Sequence, residues 1–185
     1  MRSRFASRVR SIYQLFSRLA SKLQSPFLLA IRLYWGWQLA QSGWGKLHNI
    51  DNVTSFFASL NIPFPHLNAI AVSNLEFFGG ILLVLGFAAR LNGLILTVNM
   101  LVAYITADRE ALGSIVSDPG KFYNADPYTF LFASLMVLIF GAGVFSADAV
   151  VARFTSERQA KVRTPWPTTA SNPDDSSPGA AVLAR

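Results

Sequence analysis

One carboxylate stands in the most apolar part of this chain: Glu76, within Asn74 to Arg90, NLEFFGGILLVLGFAAR. An ionisable group in an apolar helix of that length is expensive to hold in lipid, which makes it a functional-site candidate whose chemistry would be proton handling. Gly79 and Gly80 follow three and four residues on, on the same helix face, where absent side chains let a neighbouring backbone come close. The competing reading gives Glu76 no chemistry and makes it structural glue, hydrogen-bonded to the next helix.

Other polar groups fall at related depths. If the first span begins near Phe27, a rise of about 1.5 Å per residue puts Arg32 roughly 7 Å deep and Gln38 roughly 16 Å. Counting back from Ala88 along the second span puts Glu76 roughly 18 Å from the same face, level with Gln38, and Asn99 on the third span at roughly 12 Å. Glu76, Gln38 and Asn99 are therefore expected to share one buried polar layer, with Asn74 and Gln41 nearer its mouth. Arg32 has two readings. It pairs with Glu76 and keeps it ionised, or it snorkels to the headgroups and leaves Glu76 a neutral proton donor. Gly36, Ser42 and Gly43 form a face small enough for close helix packing.

The elements that must position these residues are four apolar runs, at about 27–47, 68–88, 91–107 and 127–146, each near the length of a bilayer crossing. The expected fold is all-α, a four-transmembrane-helix bundle over residues 26–150. The turn at Arg90 and Leu91 is so short that the second and third spans must be antiparallel neighbours. Residues 1–25 hold six basic residues and no acid, with Phe5, Val9, Ile12, Phe16, Leu19 and Leu23 at helical spacing. They predict a basic amphipathic helix lying on an anionic membrane surface. That composition is also found in transit peptides, but the apolar run after it is too long for a signal peptide and carries Arg32. Residues 151–185 begin basic and then become a Pro-, Ser- and Thr-rich tail expected to be disordered.

The basic N-terminus, Arg90 and the cluster Arg153, Arg158, Lys161 and Arg163 all fall on one side of an even number of spans, so both termini are expected in the cytoplasm. The two longer loops then face outward. The first should carry a short helix, 52–60, with Val53, Phe56, Phe57 and Leu60 resting on the outer leaflet. The second, 108–126, is acidic and turn-rich, and reads equally as a lid or a linker.

Composition sets the limits. With 52% hydrophobic and 14% charged residues and a positive mean hydropathy, the chain reads as a membrane protein. The net charge of +6 is concentrated at the two ends, which speaks for membrane orientation rather than nucleic acid. Absence of cysteine removes thiol relays, thiolate zinc sites and iron–sulfur clusters. The only histidines, His48 and His66, lie at or beyond span ends, and no metal centre is expected.

Three stretches carry a family resemblance: RLYWGWQLAQSGWGKL (Arg32 to Leu47), ExxGGxLLxLGxxxR (Glu76 to Arg90) and GAGVFSAD (Gly141 to Asp148). Over about residues 27–150 the chain resembles the DoxX family of small four-helix membrane proteins. The resemblance implies a bacterial inner-membrane location and, for some relatives, a role as subunits of quinone-linked oxidoreductases. It departs at Gly141-Ala142-Gly143, where the family often has Gly-Pro-Gly, and at Asp126-Pro127-Tyr128-Thr129, where it often has a glutamate. On this basis Glu76 is the candidate for proton handling, and Gln38, Arg32, Gln41, Trp37 and Asn99 for a quinone pocket. Trp37, Gln41, Trp44 and His48, at i, i+4, i+7 and i+11, read either as a wall for a flat quinone headgroup or as an interfacial tryptophan belt. Any electrons would come from a protein partner or a substrate reacting with quinone directly. Two rivals remain, a non-enzymatic scaffold docking another membrane protein and a proton-linked carrier of small solutes.

Overall fold

The computed structural model describes residues 2–163, with side chains for residues 13–156, and is all-helical there. The tail expected to be disordered lies outside the described residues. Eight helices follow in order: α1 (Arg2–His48), α2 (Ile50–Ser59), α3 (Pro65–Leu85), α4 (Ala89–Thr106), α5 (Arg109–Gly113), α6 (Pro119–Asn124), α7 (Pro127–Phe140) and α8 (Ala147–Arg163). The chain divides into two units, Met1–Ala152 and Arg153–Arg185; of the second, residues 153–163 are described and are helical.

In the first unit α1, α3, α4 and α7 form a ring in which α1 packs chiefly on α3 and α4 chiefly on α7. Glycine sets the α1–α3 approach. A β-carbon at Gly36 would stand 2.9 Å from Val84 Cγ2, one at Gly80 would stand 2.7 Å from the Gly36 carbonyl oxygen, and one at Gly43 would stand 2.8 Å from Phe77 Cα. The facing pairs 36/84, 40/80 and 43/77 step in opposite senses by equal amounts, so the helices are antiparallel in one fixed register. On the other side of α3, Gly79 receives Leu96 of α4, and Asn92 Nδ2 donates to the Gly79 carbonyl at 2.9 Å.

The polarity of these helices is inverted relative to a water-soluble bundle. Arg32, Ser73, Glu76, Asn92, Thr97 and Ser134 are buried, while Leu94, Ile95, Val98, Leu101, Val102 and Ile105 of α4 are exposed. Exposed apolar side chains in such number, around an interior that also buries polar groups, are at ease in hydrocarbon and costly in water. By length and composition α3 and α4 can each cross a membrane.

Three expectations need correction. The basic segment is not a separate element, since α1 runs unbroken through Pro26 for about 70 Å at 1.5 Å per residue, forgoing the one backbone bond that proline cannot donate. The fourth apolar run is helical only to Phe140; Gly141 (φ 77°) and Gly143 (φ 75°) turn the chain into a non-helical segment before α8. The short helix after the first span, expected to rest on the outer leaflet, does form but packs on α3.

Gly80→Ala should therefore destabilise the protein by about 1–3 kcal/mol, because its methyl meets the backbone of α1. Gly45→Ala, on the same bundle but with nothing within 4 Å, should be neutral or stabilising. Thermal unfolding of both in detergent checks the contrast, and equal losses would disprove the glycine register.

Candidate functional site

At the end of the bundle that carries α2, α5 and α6, the ring opens into a cavity of about 1020 Å³. This is the upper range for a site that holds a whole organic ligand. Glu76 lines it from α3 and is 4% exposed. Its carboxylate takes both bonds of a bidentate ion pair with Lys46 Nζ, at 2.6 and 2.7 Å, and accepts a third from Ser42 Oγ at 3.1 Å. Gln38 lines the cavity from the same side of α1, and Asn99 lines it from α4. Neither amide makes a hydrogen bond within the described residues, so both offer donors and acceptors to a ligand.

The register explains this set. Residues facing each other at 43/77 place Glu76 level with residue 44, whereas equal span depths had placed it level with Gln38. Six residues of helix is about 9 Å. The displacement removes Gln38 from direct reach of Glu76 and brings Lys46, one turn beyond Ser42, onto it. Sequence reasoning left Lys46 out of the buried layer, and missed Ser42 by assigning it to packing. The available signal was that Gln38, Ser42 and Lys46 recur at i, i+4 and i+8, a polar stripe along one face.

Arg32 is not in the cavity. It is 1% exposed and neither pairs with Glu76 nor snorkels. Its Nε donates to the Leu83 carbonyl and Nη2 to Val84, each at 3.0 Å, while Nη1 donates to Ala142 and, at 3.0 Å, to Phe145. The physical reason lies in the ends it serves. Gly86 (φ 65°) closes α3 and leaves carbonyls of its last turn needing partners, and the segment after Gly141 has no helix of its own to satisfy it. Asp148 completes the knot, accepting Ala88 N–H at 2.7 Å and Ala89 N–H at 2.8 Å at the start of α4. Trp37, 60% exposed, and Gln41, also exposed, point away from the cavity. The tryptophan that lines it is Trp35, edge-on to Phe130 at 6.1 Å. Gly36, Gly43, Gly79 and Gly80 sit at helix contacts.

Both loops cover the cavity. Val53, Phe56, Phe57 and Leu60, the apolar face of α2, line it. On the other shoulder Tyr104 stacks on Phe122 at 4.8 Å and donates to its carbonyl at 2.7 Å, pinning α6 over the bundle; Tyr123, Asn124 and Asp126 then reach the cavity. Asp126 stands at the N-terminal end of α7, just before Pro127. Asp108, just beyond α4, also lines the mouth, and burial first and the charge of Asp126 second raise its pKa above the ordinary carboxylate value.

Residues 27–109 match the DoxX family model. No curated protein and no solved structure matches the chain.

The ion pair generates a sharp expectation. Lys46→Met leaves a buried carboxylate without its cation, and Glu76→Gln leaves the ammonium without its anion. The double change should cost less stability than the sum of the two single changes, with a coupling of about 1–3 kcal/mol. A double-mutant cycle on thermal or denaturant unfolding measures it, and a coupling near zero would show that the two groups do not act as a pair.

Proposed function

For a chain whose residues 27–109 match the DoxX family model, we propose a multi-pass membrane protein that holds a quinone headgroup in this cavity, as a subunit of a membrane oxidoreductase system. The observation that carries this reading is a cavity of about 1020 Å³ with an ion pair, Lys46–Glu76, on one wall, two unbonded amides, Gln38 and Asn99, and aromatic surface from Trp35, Phe56, Phe57 and Phe130. A quinone is flat, mostly apolar and bears two carbonyl acceptors. The Lys46 ammonium and the amide N–H groups are donors suited to those oxygens. Glu76 is the acid–base group closest to the bound ammonium, placed to hand on a proton when the headgroup changes its protonation. Electrons would come from a partner protein.

The cavity also favours this reading over a scaffold, which needs faces and not a concave site lined by an ion pair and amides. The bilayer arrangement belongs to the same proposal: α1 from Phe27, α3, α4 and α7 with the segment after it as four crossings, in a bacterial inner membrane. The segment before Pro26, with Tyr13, Phe16, Leu19 and Leu23 exposed beside basic residues, engages anionic headgroups. Both termini lie in the cytoplasm, as the basic clusters require.

A reporter inserted after Ser117 should be active outside the cytoplasm and one at the C-terminus inside it. A C-terminal reporter active outside would reverse the orientation.

Lipid extracted from detergent-purified protein should contain quinone near one equivalent, lost from Glu76→Gln and from Lys46→Met while both variants remain folded. Folded protein with no quinone in wild type would remove the quinone reading and turn attention to a docked membrane partner. Quinone retained unchanged in both variants would place the ligand away from the ion pair.

A further inference from the structure

The cavity is not closed on all sides, and its openings differ in chemistry. Among its lining residues Asn52, Asn124 and Asp126 are exposed and polar, marking a mouth toward water at the capped end. Of the other exposed lining residues, Ala107 and Tyr123 stand next in the chain to Asp108 and Asn124 at that same end, whereas two apolar ones stand elsewhere: Phe56 of α2, 52% exposed, and Val102 of α4, 50% exposed. A side chain that lines a cavity and also faces out marks an aperture.

The helices account for the second aperture. α3 and α4 touch near their shared turn, where Leu96 fills the space over Gly79 and Asn92 bonds the Gly79 carbonyl. Farther from the turn, Val72 and Glu76 on α3 and Asn99 and Ala103 on α4 face the cavity. The two helices therefore part toward the capped end, and α2, which packs on α3, covers the gap from one side. Val98, one turn nearer the α3–α4 junction, is 51% exposed yet does not line the cavity, so the aperture begins at Val102. Val98 and Val102 share the apolar face of α4 that the inverted polarity turns toward hydrocarbon.

We infer that the gap between α2 and α4, bordered by Phe56 and Val102, is a lateral portal to the bilayer, and that the cavity's ligand is an amphiphile whose long apolar tail leaves through it. The inference rests on the reading of the cavity as a quinone headgroup site and adds where the tail goes. The occupant follows from what borders each opening. A tail running past Asn52, Asn124 and Asp126 would put apolar surface into water beside carboxylate and amide groups, whereas past Phe56 and Val102 it stays in contact with apolar side chains and lipid. A ligand of this class loads from the membrane without its tail entering water.

Two photoreactive quinones, one with a diazirine on the ring and one with a diazirine on the first tail unit, would be applied to full-length protein in lipid nanodiscs. Adducts are mapped by mass spectrometry with and without excess unlabelled long-chain quinone. The ring probe should mark Trp35 or Gln38 and the tail probe Phe56 and Val102, both competed away, while labelling of Val98 by bulk lipid-dissolved probe persists. Val102→Trp should lose the competed tail adduct, and Val98→Trp should keep it. A ring probe with no competed adduct in the cavity sinks the headgroup site and the portal with it. Ring adducts in the cavity with tail adducts at Asn52, Asn124 or Asp126 keep the site and overturn the portal, as does an equal loss of tail adduct in the two tryptophan variants.

Discussion

The close approach of α1 and α3 is the constraint on which the rest of this protein depends. Gly36, Ala40 and Gly43 meet Gly80, Phe77 and Val84 with so little space that a β-carbon at Gly36, Gly43 or Gly80 would run into the facing helix. Both polar features of α1 follow from that single alignment. At one end Arg32 arrives where α3 terminates, and its guanidinium meets the carbonyls of Leu83 and Val84. At the other, four turns along, Lys46 arrives over Glu76. A slip of one residue would rotate each of these groups by about 100°, and a slip of a whole turn would move each by about 5 Å, so neither contact could survive alone.

In the proposed four-crossing arrangement, the Arg32 knot answers a problem that hydrocarbon poses. In water an irregular stretch such as Gly141–Ser146 would be hydrated. In a bilayer each unpaired carbonyl costs several kcal/mol, so non-helical backbone persists only where protein satisfies it. α7 stops at Phe140, about 21 Å of helix at 1.5 Å per residue and too short to cross the hydrocarbon by itself. Arg32 reaches Ala142 and Phe145 in the segment that follows. A guanidinium carries five N–H donors in a fixed fork, and four bonds to carbonyls from two segments use that fork almost fully. The buried charge is thereby solvated chiefly by backbone dipoles, with the Asp148 carboxylate as its electrostatic neighbour.

Much of this was legible in the sequence, and the failures have identifiable causes. The helix class, the small-residue faces at Gly36, Gly43, Gly79 and Gly80, and Glu76 as the buried acid of α3 could be read from periodicity and composition, which are local properties. Glu76, Gln38 and Asn99 do line one cavity, but not in the single layer that depth counting gave them. The partner of Glu76 could not be read. Depth counted from assumed span ends carries an error of several residues in each helix, and a pairing decided by one turn lies inside that error. Arg32 was misassigned because its partners are backbone carbonyls, which have no sequence signature and are freed only by the αL turn at Gly86 and by the early end of α7. The inward turn of α2 was hidden for a related reason: an amphipathic face fits a lipid surface and a cavity roof equally well until the neighbouring helices are in place.

The same register bears on whether Glu76 is glue or chemistry. If the ion pair were needed to align α1 with α3, the glue reading would suffice. Steric fit between glycine faces already fixes that alignment, and Ser73, Asn74 and Asn92 satisfy local backbone without involving Glu76. A buried or half-buried ion pair is a poor source of net stability, since the desolvation of both charges offsets most of their attraction. A hydrophobic pair of similar volume would hold the helices at least as well. Lys46 and Glu76 instead place two charges, neutral in sum, on the wall of a cavity that also presents Gln38 and Asn99 without partners. Groups that add little to the fold and stand together where a ligand can reach them are better explained by what they bind than by what they hold together.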